Sequence, residues 1–381
     1  MKRITGFFLT AALILTAVFQ SYAIGRTDEE WARLRDNVLE YNEIDGLIHE
    51  YNTAVKKNSY ELEDFDRNYG KSNESVKRAY AELANQLYNA VDYGDPTDPQ
   101  YGIKVGQAIS NEALASQYEM QADNITDDYE TYKLSFEQAE MTLAQAAKAN
   151  MVEYYNTDIA RQQAQLSVSQ LESALNVKQL QLKLGMTTNA EVLSAQEALL
   201  NAQKNASDAA SRLPVIKKRL QVMCGWKYES DAQIAPLPEP DIARIATLNP
   251  ANDVQTALNN NYTLRINQRK LSNANGDTSI KTLNATIDSN KQNIAASVYS
   301  AYSAVTAALD AYNYAVTNEN LQKTNFAAAQ VGFASGSVSS LDLKNKDIAA
   351  QTAALQTLQA KYSLLTALTN YDYAVAGLAG A

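Results

Sequence analysis

The sequence predicts an all-α protein made of long antiparallel helical hairpins in two tandem repeats. Glycine and proline, which interrupt helices, account for 14 and 7 of the 381 residues. Apolar residues recur every three or four positions over long stretches, which is the spacing of one helix face. A short turn motif also occurs twice, in the same order relative to these stretches. An all-β fold, which needs many turns, does not fit this composition.

The charge of the chain and its few soft metal ligands argue against several functions. With 33 Lys and Arg against 43 Asp and Glu, the net charge is −10, which disfavours binding to nucleic acid or to anionic lipid headgroups. One histidine, His49, and one cysteine, Cys224, are too few for a structural zinc site, an iron–sulfur cluster or an intramolecular disulfide. We therefore expect no metal and no cofactor.

The first 23 residues have the pattern of a secretory signal peptide. A positive start at residues 1–3 is followed by an apolar run over residues 7–18, and Ser21 and Ala23 supply small residues at the cleavage positions. The alternative is an uncleaved membrane anchor, but the run is shorter than the roughly 20 residues that a spanning helix needs. We expect an exported, extracytoplasmic protein.

The repeated motif reads Gly-x-x-(Thr/Ser)-x-x-(Glu/Asp). Glycine can take the left-handed conformation that ends one helix, and the hydroxyl three residues later can cap the next helix. The carboxylate three residues further on is predicted to complete a capping box. Each copy therefore predicts a tight helical hairpin. The motif residues are Gly185, Thr188 and Glu191 in the first copy and Gly336, Ser339 and Asp342 in the second.

The arms of the second hairpin are predicted to be long. Residues 286–330 contain no glycine or proline, so one uninterrupted helix could extend about 65 Å. Such a rod needs partners along its whole length, because apolar residues follow a 3-and-4 spacing that is typical of a seam between helices. These residues are Val298, Tyr302, Val305, Leu309, Tyr312 and Val316.

The repeats divide the mature chain into three parts. Residues 24–225 are predicted to form the first helical repeat, with a helical and loop insert near residues 68–128. Residues 226–250 hold four of the seven prolines and are predicted to be a linker. Residues 251–381 are predicted to form the second repeat.

The two turn motifs resemble those of the TolC family of outer-membrane efflux proteins, whose protomers are tandem repeats of long helices. The resemblance is carried by residues 184–196 and 331–343 and covers most of residues 28–381, well at both hairpins and weakly in the insert. It implies a TolC-like α-barrel protomer, assembly as a homotrimer, a place at the outer membrane, and docking to a periplasmic-type adaptor (membrane fusion) protein and an inner-membrane transporter.

The resemblance also implies roles for the motif residues. Both turns would form the tips that meet the adaptor: Gly185, Thr188, Glu191, Gly336, Ser339 and Asp342. Asp342 and Asn345 fall where the family narrows its pore, and a ring of Asp342 carboxylates would favour cations. The alternative is that Glu191 and Asp342 are helix-capping residues without a further role.

One departure from the family concerns its membrane β-strands, which are expected near Asp66 and after about Ala274. Residues 275–283 are too short for two strands of roughly 10 residues, and the first insert is mostly helical in pattern. The sequence therefore predicts little or no β-structure. It keeps open a second function, that of an extracytoplasmic helical scaffold or adaptor-binding protein without channel activity.

No residues assemble into a catalytic motif, and we expect no enzyme. His49 is interpreted as a surface histidine, and Cys224 as a partly buried thiol, with an intermolecular disulfide as the alternative. The pair Asp127–Asp128 could bind a divalent cation, but a solvated face is the simpler explanation. The sequence thus predicts export across the envelope through partner proteins, without cofactor or chemistry of its own.

Overall fold

The computed structural model describes residues 26–380, and these residues confirm the predicted all-α class. The proposed signal peptide, residues 1–23, lies outside the described residues. Seven helices and one short strand are described in the first half of the chain. They are α1 (Asp28–Leu34), β1 (Val38–Leu39), α2 (Ile44–Tyr51), α3 (Thr53–Tyr69), α4 (Asn73–Asn89), α5 (Tyr101–Asn124), α6 (Tyr129–Lys183) and α7 (Asn189–Met223).

The second half repeats the pattern of short helices followed by a long hairpin. Its strand pairs in parallel with β1, so the two halves share a two-stranded ladder. Within the described part of the chain, no helix is long and apolar enough to cross a membrane. The elements are β2 (Gln233–Ile234), α8 (Ile242–Ile245), α9 (Pro250–Asn260), α10 (Tyr262–Asn273), α11 (Asp277–Ala334) and α12 (Ser340–Tyr373).

The long hairpins are α6–α7 and α11–α12, as the turn motifs predict. The helices α6 and α11 contain 55 and 58 residues and therefore extend over 80 Å at 1.5 Å per residue. The uninterrupted helix predicted over residues 286–330 lies within α11. Pro214 lies inside α7, where it removes one backbone donor from the helix.

The four long helices lie side by side in the order α7, α6, α12, α11. The helix α6 packs against both α7 and α12, and α12 packs against α11. The helices α6 and α12 run antiparallel, because Gln145 contacts Asn370 while Tyr155, further along α6, contacts Tyr362, which is earlier in α12. This antiparallel packing places the end of α6 beside the start of α12. The first turn follows α6 and the second turn precedes α12, so both turns lie at the same end of the molecule.

The apolar core has two parts that share α12. Tyr362, Leu365 and Tyr373 pack into a cluster with α2, α6 and α7. Leu364 and Leu368 point to the opposite side of α12 and pack with α9, α10 and α11. The second cluster consists only of residues from the second half, whereas the first cluster needs α12, so the core of the first half is completed by a helix of the second.

The residues between α3 and α6 form the helical hairpin α4–α5, and a three-residue loop joins α10 to α11. These are the two places where membrane strands of the family were expected. The prediction of little or no β-structure is confirmed, because strand in residues 26–380 is confined to β1 and β2.

A buried carboxylate connects the start of α6 to α10. Asp128 is 0% exposed and caps α6 by accepting a hydrogen bond from the backbone N–H of Thr131. Its Oδ2 atom accepts hydrogen bonds from Nε of Arg269 at 2.7 Å and from Nδ2 of Asn273 at 3.0 Å. Asn273 also donates to the backbone carbonyl of Thr126. The sequence analysis assigned Asp127–Asp128 to a solvated face, and for Asp128 this is wrong, because Arg269 compensates its burial.

A partly buried ion pair of the first half, in the first cluster, is joined to the second half through a tyrosine hydroxyl. Lys148 of α6 pairs with Asp45 of α2, and Asp45 also accepts a hydrogen bond from the Tyr373 hydroxyl of α12. The Lys148 ammonium lies 5.1 Å from the centre of the Tyr373 ring. Because three helices contribute, this cluster fixes α2 against the seam between α6 and α12.

Each half contains one buried asparagine, and the two make equivalent hydrogen bonds. Asn52 caps α3 and donates to the carbonyl of Met223, at the end of α7. Asn261 caps α10 and donates to the carbonyls of Gly377 and Ala379, just after α12. Each side chain thus hydrogen-bonds to free backbone N–H groups at the start of a short helix and to backbone carbonyls at the end of a long one. The sequence analysis predicted the two repeats but not these contacts between the start and the end of each.

We expect Arg269→Ala to lower the free energy of unfolding by about 3 kcal/mol, because it leaves the Asp128 carboxylate buried without its cationic partner. The matched control is Arg67→Ala, which removes an exposed ion pair to Asp64 and should cost less than about 1 kcal/mol. Urea denaturation followed by circular dichroism measures both. Equal losses would contradict the role of the buried pair.

A pH dependence follows from Glu43, whose two carboxylate oxygens are buried without a hydrogen-bond partner in the described structure. Burial and, after it, the nearby Glu40 and Asp36 carboxylates raise the pKa of Glu43 from 4.5 to about 7, against the opposing effects of Arg33 and of the Glu40 backbone. The folded state therefore holds this proton more tightly than the unfolded state. Its contribution to stability is complete below pH 4.5 and is lost as the pH rises through about 7.

We therefore expect Glu43→Gln to raise the free energy of unfolding at about pH 8 and to change it little at about pH 5. Denaturation at both pH values measures the difference. Glu63→Gln in the exposed part of α3 serves as control and should have the same small effect at both. If the free energy of unfolding changes between the two pH values by the same amount in the wild-type protein and in Glu43→Gln, Glu43 does not titrate with folding.

Candidate docking tips and helix edges

The first tip is the turn between α6 and α7. Gly185 has φ of +69°, the left-handed conformation that the motif requires after a helix. Its N–H donates to the carbonyl of Leu182, and the N–H of Met186 reaches back to the carbonyl of Gln181. Thr188 then caps α7, because its hydroxyl accepts a hydrogen bond from the N–H of Glu191 at 3.3 Å.

The second tip, between α11 and α12, has the same construction. Gly336 has φ of +77°, and its N–H donates to the carbonyl of Phe333. Ser339 caps α12 by accepting a hydrogen bond from the N–H of Asp342 at 3.0 Å. The glycine and the capping hydroxyl in each motif were therefore identified correctly from the spacing alone.

The predicted capping boxes are wrong in one respect, because neither carboxylate bonds to the backbone of its cap residue. The Glu191 carboxylate instead accepts hydrogen bonds from the Thr187 hydroxyl and, at 3.1 Å, from Nζ of Lys178. The Asp342 carboxylate accepts from the Ser339 hydroxyl at 2.7 Å. A glutamate at this position reaches a neighbouring hydroxyl and ammonium, and an aspartate is too short to reach the cap N–H.

The electrostatics of the first tip keep Glu191 ionised. The hydrogen bond from Thr187 lowers the pKa of Glu191, and Lys178 lowers it further. In the second tip, Asp342 is exposed, and Asn345 lies one turn later on the same side of α12. The residues proposed for a pore constriction therefore share one helix face near the tip.

Large apolar side chains are exposed beside both tips. Leu184 and Met186 are exposed at the first turn, and Val331 and Phe333 are exposed before the second. The sequence analysis did not assign a role to these residues. Since both tips lie at one end, they present apolar surface together with the motif residues, as protein interaction sites commonly do.

The outer helices of the layer, α7 and α11, each carry four large exposed apolar residues along one side, which the sequence analysis also missed. We call these rows the exposed apolar stripes, although polar and charged residues such as Lys204 and Asp310 lie between their members. The four residues of α7 lie within an arc of about 60°, and those of α11 within about 100°, at 3.6 residues per turn. Their intervals of 7, 10 and 15 residues were visible in the sequence, but periodicity does not tell an exposed stripe from a buried one. The stripes are Leu193, Leu200, Val215 and Val222 on α7, and Tyr299, Tyr314, Leu321 and Val331 on α11.

The cysteine and the histidine of the chain are both held in contacts within the fold. Cys224 is buried, and burial raises the pKa of its thiol to about 12, so the thiol stays protonated. His49 bonds to Glu140 of α6 at 2.8 Å, and this hydrogen bond raises the pKa of His49. Among residues 26–380, no group of three or more His, Cys, Asp and Glu could hold a metal ion.

No protein-family model and no curated protein matches the sequence. Among solved structures, the chain is similar to the CmeC outer membrane channel of Campylobacter jejuni, with 12% identity and a TM-score of 0.52, over 92% of this chain and 88% of that one. It is also similar to a membrane protein from Pseudomonas aeruginosa, with 10% identity and a TM-score of 0.53, over 88% and 90%.

A third similar structure is the outer membrane protein VceC of Vibrio cholerae, with 9% identity, a TM-score of 0.50, and coverage of 88% of this chain and 96% of that one. The chain therefore has the TolC-like helical fold, and the resemblance predicted from the two turn motifs is confirmed at the level of the fold. These structures are described as channels and membrane proteins rather than as enzymes.

Substitution of either tip glycine by alanine is expected to lower the free energy of unfolding by about 1 kcal/mol. A Cβ atom at Gly185 or Gly336 meets nothing within 4 Å, so the cost comes from the left-handed conformation. Gly102→Ala in α5 is the control: its Cβ also meets nothing, and a helical alanine should stabilise by about 0.5–1 kcal/mol. Urea denaturation measures all three, and a loss in the control would refute this explanation.

Proposed function

We propose that several copies of this chain, as a homotrimer, assemble into a helical conduit of an export system, with an adaptor protein and an inner-membrane transporter as partners. In this proposal the protein is extracytoplasmic and at the cell outer membrane. It uses no cofactor and performs no chemistry. The observation that carries the proposal is the pair of exposed apolar stripes on the two outer helices, α7 and α11.

The two stripes favour assembly because they lie on opposite edges of one helical layer. The α7 edge of one copy can pack against the α11 edge of the next, which buries both stripes. Such a contact uses two different surfaces, and it forms a ring, rather than an open filament, when the rotation between neighbouring copies closes. A closed ring of helical layers encloses a space, and the fold shared with CmeC supports reading that space as a conduit.

The tips are the proposed docking surface for the adaptor. All tip residues lie at one end, so assembled copies would present their turns together: Gly185, Thr188, Glu191, Gly336, Ser339 and Asp342. The exposed apolar residues beside the turns supply the surface that a partner helix would bury. In a homotrimer, three Asp342 side chains with Asn345 one turn away would form a ring that favours cations.

A second candidate is an extracytoplasmic helical scaffold or adaptor-binding protein without channel activity. It is favoured by the helical hairpin α4–α5, which occupies the place of the family's membrane strands. In this case the tips would still dock to a partner, but the chain would not need to close into a ring.

The experiment is light scattering of the mature chain, residues 24–381, with and without detergent, compared with the double variant Leu200→Glu and Val215→Glu. We expect the wild-type mass to be three times that of a monomer, and the variant to be mostly monomeric because carboxylates replace the apolar contact. The control is Asn205→Glu, which adds a charge to another exposed face of α7 and should leave the mass unchanged.

The state of the wild-type chain decides between the two candidates. A trimer that requires detergent would support the outer-membrane conduit. A monomer or dimer without detergent would exclude the conduit and leave the scaffold. A trimer that is unaffected by the double variant would show that the α7 edge is not the contact.

A further inference from the structure

The hairpin α4–α5 stands apart from the rest of the molecule. The helix α5 packs against α4, and the hairpin is held at its base. There, Nδ2 of Asn73 donates to the carbonyls of Ile125 and Asp127 at 3.0 and 3.1 Å, and Nζ of Lys77 donates to the carbonyl of Asn273 at 3.3 Å. The base lies at the start of α6, so the hairpin is at the end opposite the tips.

A row of aromatic rings fixes the direction of the hairpin. Phe65 of α3 lies 4.7 Å from Tyr132 of α6, measured between ring centres. Tyr69 of α3 stacks on Tyr80 of α4 at 5.9 Å, and Tyr80 lies 6.0 Å from Tyr118 of α5. Because both hairpin helices take part, the hairpin is a defined extension of the body.

One face of α5 is uncovered and uncharged, and it carries large apolar residues among the polar residues Ser110, Gln117 and Gln121. Ile103 is 64% exposed, Ile109 56% and Met120 58%, although side chains of this type are usually buried. Together with small residues they form the α5 stripe, which covers an arc of about 140° at 3.6 residues per turn. The α5 stripe consists of Ile103, Gly106, Ile109, Ala113, Leu114 and Met120.

The α5 stripe contains no charged residue, although the chain has a net charge of −10. The charges of the stretch lie outside the arc: Nζ of Lys104 pairs with Asp98 at 3.0 Å, and Glu119 accepts a hydrogen bond from the Tyr88 hydroxyl at 3.0 Å. Two acidic copies can therefore meet at this face without bringing like charges together. The small residues between the larger ones let two helix backbones approach closely.

The size of the α5 stripe indicates what covers it. From Ile103 to Met120 the helix rises about 26 Å, and with a width of about 10 Å the contact covers about 260 Å². A stable interface buries about 800 Å² on each partner, so this face cannot hold two free copies together. It is large enough to add a contact between copies that are already joined.

We propose that the α5 stripes of neighbouring copies pack against one another, so that the hairpins form a helical bundle at the end of the assembly opposite the tips. The inference rests on the assembly put forward under the proposed function. In that assembly the hairpin bases are brought together at one end, and the uncharged faces supply the contact. The bundle would join the copies at a second place, independent of the α7 and α11 edges.

Disulfide cross-linking between copies tests this proposal in the Cys224→Ala background, which removes the natural thiol. Single cysteines are placed in the stripe (Ile109→Cys, Ala113→Cys) and, as matched exposed controls, outside its arc (Glu112→Cys, Glu119→Cys). A disulfide needs Cα atoms within about 7 Å, so it reports direct contact. After mild oxidation, we expect at least about tenfold more cross-linked dimer from stripe positions than from controls.

Light scattering of each reduced sample separates the two proposals. If the copies assemble but stripe cysteines cross-link no more than Glu112→Cys, the bundle is refuted and the proposed function stands. If the wild-type chain is monomeric, the assembly and the bundle both fail. Binding of the chain to phosphatidylcholine vesicles that is lost in Ile109→Glu would overturn the proposal in favour of a lipid surface. Circular dichroism of each variant confirms that its helices are intact.

Discussion

The arrangement of the two halves depends on the burial of one carboxylate. Asp128 starts the longest helix of the first half, and its negative charge is compensated by a guanidinium from the second half. A buried charge without a partner is strongly unfavourable, so α6 and α10 have to form together. The same place also holds the α4–α5 hairpin. The Asn273 side chain donates a hydrogen bond to Asp128, and the Asn273 backbone carbonyl accepts one from Lys77 of α4. One interaction therefore sets the start of a long rod and the position of the hairpin.

Equivalent contacts in the two halves terminate the second long helix and fix it to a short helix. In each half, a buried asparagine joins a short helix to the end of the second long helix, and a glycine with positive φ closes that end. The shared helix α12 then fuses the two cores. What the halves do not share is the segment before the first long helix, where one half has a hairpin of two helices and the other a loop of three residues.

The sequence predicts those parts of the structure that depend on neighbouring residues. Gly185 and Gly336, with the hydroxyls that follow, determine the turns locally, so the hairpins and the fold class could be read directly. The sequence did not reveal that the motif carboxylates leave the cap N–H unbonded, because the Glu191 carboxylate binds Thr187 and Lys178 instead. The contact of Asp128 with Arg269 spans 141 positions, and no spacing rule reveals it. The exposed stripes were present in the pattern, but whether an apolar face is covered depends on the tertiary structure.

The position of Pro214 makes the two long hairpins mechanically unequal. The helices α6 and α12 contain neither glycine nor proline, and α11 contains one glycine near its end, so these three rods are stiff along most of their length. In α7 the missing donor weakens the backbone ladder near the base of the first hairpin. The first tip is therefore supported by one stiff helix, α6, and one weakened helix, α7, while the second tip is supported by two stiff helices. One chain therefore carries a compliant arm and a rigid one side by side.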